Sequence, residues 1–472
     1  MDQQRTATPG QPLTVEESVT RGKAVREVVP RTSHGEWAPA PDRTDPVTLL
    51  EQQAISRVPE LVPIRHGRMA ASPFAYFRGA ALPMAADLAA TRRCPLQVQL
   101  CGDAHLSNFG GFASPDRALV FDLNDFDETN PGPFDWDLKR LAASFEIAGR
   151  SLNLDAAGRR SLAQTSARTY RDAMRSFAGQ SNLDVWYARL DADRIVAQVG
   201  EEAGRATLKR LQRNIAKAKS KDRLKAAAKL TRSVDGQLEF VSDPPLLVPI
   251  EEIFSDTDSD LLDQTIHDTL RSYRRSLSTD RRRLLETYRF AKVARKVVGV
   301  GSVGTRAWLV LFTGRDEQDP LFLQVKQAEA SVLEGFTGKS RYATHGRRVV
   351  EGQRLMQAAS DIFLGHERTT GADGATRDFY IRQLWDWKAS VDIEAMDLAA
   401  LTIYAQICGW TLARAHARSG DRIAIAAYLG NSSTFDRAIA DFAAGYAEQN
   451  DLDHRALVRA IEIGRIEAQA GI

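Results

Sequence analysis

Cysteine is scarce: Cys94, Cys101 and Cys408 are the only three in 472 residues, and no two form a C-x-x-C pair. That excludes a disulfide scaffold and points to a reducing compartment. The N-terminus carries no apolar leader-like segment, and no apolar run approaches the roughly 18 residues that span a bilayer. The expectation is a cytoplasmic protein without membrane contact. An excess of one charge is missing too, since 63 Lys and Arg face 61 Asp and Glu, a formal charge of +2. Nothing pushes the whole chain toward nucleic acid or an anionic surface. Histidine is limited to 8 residues, with no H-x-H or H-E-x-x-H spacing, which weighs against a histidine-based metal hydrolase.

What is present is ordinary soluble material, 43% apolar and 26% charged, long enough for more than one lobe. Residues 1–45 are polar and proline-scattered and read as a mobile tail. Residues 46–290 read as a large, mainly helical lobe, interrupted between 97 and 128 by two short strands flanking a loop. Residues 291–385 are β-rich, and 386–472 return to helices that complete the large lobe. In "GWTLARAHARSG" the helical spacing runs up to Gly420, which suits a helix stop. Residues 205–232 hold eleven basic residues against one acid, Asp222. With the second basic stretch at 271–296, read as helical, they leave nucleic acid open as a partner, although such runs are usually solvated faces.

The stretch "CGDAHLSNFG" ends a strand in residues that strands disfavour. Asp103 and Asn108 are five apart in a short loop. That pairing aims a carboxylate at a substrate hydroxyl and a neutral amide oxygen at a cation, as phosphoryl transfer requires. Asp125, in "FDLNDFDET", supplies a charged oxygen for Mg²⁺, with Asp122 and Asp127 as further metal candidates. Asp103 and His105 are the expected catalytic residues. A grouping of His105 with Asp103, Asp122 and Asp125 is the rival metal-hydrolase reading. Asp137 lies at a probable helix start and either meets the helix dipole or braces the loops before it. Arg65, Arg68 and Arg78 are candidate phosphate or substrate contacts, or equally structural pairs for the many aspartates.

Gly299, Gly301 and Gly304 form G-x-G-x-x-G. A dinucleotide fingerprint would open a helix and meet an acid about 20 residues on. Here "TRAWLVLF" follows, then Lys326 at the end of "LFLQVK". A glycine-rich hairpin with a strand lysine suits a lid and a cation for nucleotide phosphates. Gly299, Gly301, Ser302, Gly304 and Lys326 are therefore the expected nucleotide contacts. Glu351 is the first choice, and Glu334 the second, for the acid that holds the lysine.

The segments "GRMAASPFAYFRGAA", "CGDAHLSNFG", "FDLNDFDET", "FDWDLKRLAAS", "VGVGSVGTRAWLVL", "VVEGQRLMQAASDIFLG" and "GWTLARAHARSGD" resemble the bacterial family called domain of unknown function 2252, over about residues 45–460. A thinner resemblance links "CGDAHLSN" to the H-G-D-x-H-x-x-N loop of aminoglycoside-phosphotransferase-like kinases, through Gly102, Asp103, His105 and Asn108, with Cys101 in place of the first histidine. Asp125 resembles their metal aspartate, and "GWTLARAHARSG" is similar to the helix before their catalytic loop. This second resemblance implies an α+β, bilobal, protein-kinase-like fold. Because the catalytic loop precedes the Gly-rich loop here, the order would be circularly permuted. It further implies Mg²⁺ and ATP as cofactors and transfer of a phosphoryl group to an unknown acceptor, possibly a small molecule. The alternatives are a nucleotide-binding regulator without catalysis and a carboxylate-metal hydrolase.

Overall fold

The computed structural model describes residues 12–202, 205–254, 259–297, 299–371, 373–384, 386–389 and 391–471. Thr14 opens the first helix, α1 (Val15–Val28). Its hydroxyl accepts from Glu17 N at 3.2 Å, and Glu17 Oε2 accepts from Thr14 N at 2.8 Å, a reciprocal cap. Arg26 and Arg31 donate to the carbonyls of Tyr428 and Leu429 at 2.8 and 2.7 Å. Trp37 meets Phe442 and Tyr446 edge-on. The expected tail is thus wrong from residue 12 onward, and residues 1–11 lie outside the described residues. Arginines on orphan helix-end carbonyls, together with Val25 and Val29 buried in the main core, hold this segment down.

Two helices, α2 (Val62–Ala70) and α3 (Pro73–Gly79), lead to four short strands: β1 (Gln97–Leu100), β2 (Phe109–Ala113), β3 (Leu119–Leu123) and β4 (Asn130–Pro133). β1 pairs with β4, and β2 with β3, both antiparallel. Two helices follow, α4 (Asp135–Ser151) and α5 (Ala156–Ala178). Further on come α6 (Arg223–Leu230), a hairpin over 231–240, β5 (Leu247–Pro249) and α7 (Ser259–Arg275).

Next come β6 (Arg289–Lys296), β7 (Ala307–Thr313), β8 (Pro320–Ala328), α8 (His345–Met356), β9 (Gly365–Thr370) and β10 (Thr376–Gln383). They form one antiparallel sheet in the order β9-β10-β8-β7-β6-β5. The chain ends in α9 (Leu398–Ser419), α10 (Arg422–Leu429) and α11 (Thr434–Glu462). The main core joins α4, α5 and α9–α11 with β1 and the inner side of α8. The fold is mixed α+β.

Two boundaries differ from the sequence reading. Leu270 and Tyr273 of α7 pack against Leu323, Phe379 and Ile381 on one sheet face. Ala226 and Leu230 of α6, with Phe240, cover Ala294, Leu309, Leu311 and Phe322 on the other. α6 and α7 therefore clothe the sheet, and β5 joins its edge, rather than extending the helical part. The basic stretch at 271–296 is also not helical throughout, because Arg289–Lys296 is strand β6. Its period-two alternation is obscured by charges at Arg289, Lys292, Arg295 and Lys296. Among the described residues, no helix is long and apolar enough to cross a membrane.

Gly420 does end α9, but its φ of −123° is open to any residue. A Cβ there would lie 2.6 Å from Val98 Cγ1 and 2.8 Å from the Gln97 carbonyl oxygen. Glycine is required so that α9 can abut β1, 320 residues away in the chain, where Gln99 N donates to Ser419 Oγ at 3.1 Å. Gly420→Ala should overpack this contact and destabilise by about 1–3 kcal/mol, read as a lower urea midpoint with an unchanged slope.

Candidate functional site

The loop between β1 and β2 is held by one stripe of α4. Asp137, Arg140 and Ser144 stand at i, i+3 and i+7, which share a helix face. Asp137 Oδ2 accepts from Cys101 N at 2.8 Å and its Oδ1 from Gly102 N at 3.0 Å. Arg140 Nε donates to Asp103 Oδ1 at 2.5 Å. Ser144 Oγ accepts from Leu106 N at 3.0 Å. From α9, His416 Nε2 lies 3.2 Å from Asp137 Oδ2. Tyr170 Oη stands 2.9 Å from its Nδ1. Of the two roles open to Asp137, bracing the loop is the one the contacts support. Gly102 turns the chain at φ +81°, and the Glu128 carbonyl sits where a Cβ would be. Cys101 is fully buried and packs in the core.

Asp103 keeps part of its carboxylate on a cavity while Arg140 grips the other oxygen. Burial raises its pKa more than Arg140 and Arg78 lower it. His105 Nε2 lies 3.7 Å from Asp103 Oδ2. Burial, seconded by Arg140 and Arg78, pushes His105 well below its ordinary pKa. Its Nδ1 accepts from Ser107 N at 3.2 Å, so a neutral ring carries its proton on Nε2, facing Asp103. Asn108 Nδ2 donates to the Asp103 carbonyl at 2.7 Å, leaving the amide oxygen as its free acceptor.

Strand register brings the second loop alongside. Phe109 pairs with Leu123, and Asn124 N donates to the Asn108 carbonyl at 2.9 Å. Asn108 and Asp125 thus leave the hairpin at the same end. Asp127 Oδ2 accepts from Lys326 Nζ at 2.7 Å, across 199 residues of sequence. Tyr380 Oη donates to Asp127 Oδ1 at 2.6 Å, and Ser302 Oγ lies 3.3 Å from Oδ2. Burial opposes both charges. Even so, Asp125 and Asp127 raise the Lys326 pKa, and Lys326 with Tyr380 holds Asp127 below the usual carboxylate range. Asp125 has no ion-pair partner among the described residues, and burial and the neighbouring Asp127 raise its pKa.

Gly299, Gly301 and Ser302 line the same cavity as Asp103, His105, Asn108, Asp125 and Asp127, about 230 Å³ in volume. Gly304 anchors the turn, accepting from Val58 N at 2.8 Å, and Arg68 Nη1 donates to the Gly299 carbonyl at 2.5 Å. The sequence scattered these residues over 200 positions, and the fold gathers them.

Two site expectations are overturned. Glu351 does not meet Lys326; its Oε1 lies 3.6 Å from Arg354 and 4.0 Å from Arg347 on the outer side of α8. Glu334, the second choice, lies 3.7 Å from Arg348 Nε instead. The α8 residue that reaches the site loop is Arg348, whose guanidinium donates to the carbonyls of Thr129, Asp127 and Glu329 at 2.6, 2.8 and 2.7 Å. The helix pattern carries that signal. Arg348 is one turn before buried Gly352, whereas Glu351 shares the exposed row of Arg347. Asp122 is no metal candidate either: it is 1% exposed, ion-paired with Arg414, and accepts from Ala358 N at 2.9 Å. Tyr380 and Arg140 escaped the sequence reading, because each sits in an unremarkable strand or helix stretch.

The sheet face bearing Lys326 is not open along its length, since α6 covers it at Phe322 and Leu309. A second cavity of about 490 Å³, lined by Asn124, Gln324, Arg382 and Leu384, lies beyond Lys326. Among the described residues, no three His, Cys, Asp or Glu side chains are grouped to hold a metal alone. Asn108 and Asp125 are nevertheless both oxygen donors on the first cavity, the partial shell that Mg²⁺ takes when substrate phosphates complete it.

Lys326→Met should strand Asp127 and Asp125 in a buried site and destabilise by about 3–5 kcal/mol. Adding Asp127→Asn should recover part of that loss. Denaturant titration of the four-member cycle measures the coupling, and strictly additive losses would refute it.

Residues 57–460 match the family described as "uncharacterized protein conserved in bacteria (DUF2252)". No curated protein and no solved structure matches the chain. The match spans most of the sequence and includes the β1–β2 loop, the Asp125–Asp127 loop and Lys326, so the chain belongs to this bacterial family of unknown function.

Proposed function

We propose that this protein is a Mg-ATP-dependent phosphotransferase with a kinase-like, circularly permuted bilobal arrangement. The observation that carries the reading is the convergence of a glycine-rich turn and two oxygen-bearing loops on one cavity, with Asp127 on its wall paired to the third-strand Lys326. The run β6, glycine-rich turn, β7, β8 with its lysine, then helix α8, is the order in which kinases present their phosphate-binding parts. Permutation is supported by the place where α9 ends, against β1, the strand that enters the Asp103 loop.

In this reading Asp103 orients or deprotonates the acceptor hydroxyl, with His105 and Arg140 fixing its carboxylate. Asn108 and Asp125 hold Mg²⁺, which would neutralise charge developing on the transferred group. Asp127 accompanies them and keeps Lys326 in reach of the phosphates. The cavity of about 230 Å³ is below the usual size of a cofactor pocket. It suits the phosphates and the acceptor group, and the cavity beside Gln324 and Arg382 suits the nucleoside.

The regulator reading is favoured by one observation. Lys326 is only 3% exposed and already engaged, with α6 lying over the same sheet face.

Thermal unfolding tests nucleotide binding. Mg-ATP at about 100 times its dissociation constant should add about 2.7 kcal/mol, a rise of a few degrees. The rise should require Mg²⁺ and vanish in Lys326→Ala. No Mg²⁺-dependent shift in the wild type would sink the reading. Asp103→Asn should keep the shift and lose phosphoryl transfer from γ-labelled ATP; unimpaired transfer would remove Asp103 from the chemistry, and a shift without any transfer in the wild type would favour the regulator.

A further inference from the structure

Three arginines line the Asp103 cavity without a carboxylate of their own. Arg65, from α2, is 1% exposed, and its Nη2 donates to Gln53 Oε1 at 3.1 Å and to the Gly79 carbonyl at 2.9 Å. Its Nε and Nη1 are buried without any partner. Arg57 donates to the Val303 carbonyl and leaves Nε unpartnered; Arg78, at the end of α3, leaves its buried Nε unpartnered as well. None of the three makes an ion pair among the described residues.

Of the acids around the same cavity, all but Asp125 are engaged. Asp103 is held by Arg140 and Asp127 by Lys326. Glu128 Oε2 accepts from Val332 N at 2.7 Å, and Glu329 accepts from Ser56 and Gln327 at 2.9 and 3.0 Å. Buried N–H groups without an acceptor are costly, and the planar guanidinium forks match the oxygens of a phosphate group. The Gly-rich turn packs against these arginines, where a Cβ on Gly301 would lie 3.2 Å from the Arg78 carbonyl.

We infer that Arg57, Arg65 and Arg78 form an oxyanion subsite beside Asp103 that binds a phosphate group carried by the acceptor. The acceptor is then a phosphorylated small molecule whose free hydroxyl faces Asp103. The acceptor role rests on the phosphotransferase reading, whereas the subsite itself does not.

Inorganic phosphate is the probe, titrated calorimetrically into the whole protein against chloride at constant ionic strength. Wild type should bind it saturably, and Arg78→Gln and Arg57→Gln should each weaken binding at least tenfold. Arg78→Lys should recover only part of the affinity. A saturating non-hydrolysable ATP analogue with Mg²⁺ should leave phosphate binding within about threefold. Absence of saturable binding, or affinity indifferent to both arginine variants, overturns the subsite. Competition with the analogue overturns the acceptor assignment and gives the arginines to the nucleotide phosphates. Equal affinity for acetate overturns the phosphate class. If the thermal test shows no Mg-ATP binding, the phosphotransferase reading falls, while the arginine variants still decide the subsite.

Discussion

The ion pair between Lys326 and Asp127 joins the six-stranded sheet to the hairpin exit of β2 and β3. It spans 199 residues of sequence at 2.7 Å, with both partners drawn largely out of water. A buried pair stabilises only when its remaining hydrogen-bonding positions are filled, and here those of the carboxylate are. Tyr380 takes the second carboxylate oxygen, Ser302 approaches the first, and Arg348 ties the Asp127 backbone to those of Thr129 and Glu329. Four elements of the sheet unit, namely β8, β10, α8 and the glycine-rich turn, thus converge on one residue of the opposite unit.

The Asp103 loop obeys the same logic with different means. Its backbone donors end on Asp137 and Ser144, its carboxylate on Arg140, and the Leu106 carbonyl accepts from Tyr404 of α9 at 2.7 Å. A rigid helix face therefore presents Asp103 and Asn108, which is how a loop acquires the positional accuracy that chemistry demands. The cavity between these two anchored loops combines engaged acids, one acid without an ion-pair partner at Asp125 and arginines whose nitrogens are unfilled. The functional proposal reads that combination as a place for an anion and a divalent cation together.

Much of the cavity lining was legible in the sequence. The G-D-x-H-x-x-N spacing identified Asp103, His105 and Asn108, and the glycines followed by a strand, rather than by a helix, singled out Lys326. These are local signals, carried by residue types that strands and helices avoid. Glu351 failed as the lysine's partner because the choice used helix membership without helix face. Asp122 failed because an alternating strand sends Asp122 inward to Arg414, while Asp125 and Asp127 follow the strand's end. The early helix α1 was missed because its anchors are arginines on distant carbonyls.

The sequence by itself determined the mixed α+β class, most of the element types, the loops that carry the acids and the absence of a disulfide framework. Those depend on backbone preference and on periodicity within a few residues. Only the tertiary structure decided which acid meets Lys326, that α6 and α7 cover the sheet, and that α9 closes against β1. Each of these depends on contacts between residues hundreds of positions apart. The pairing of buried charges at such a distance is set by which surfaces pack together, and local composition holds no record of that.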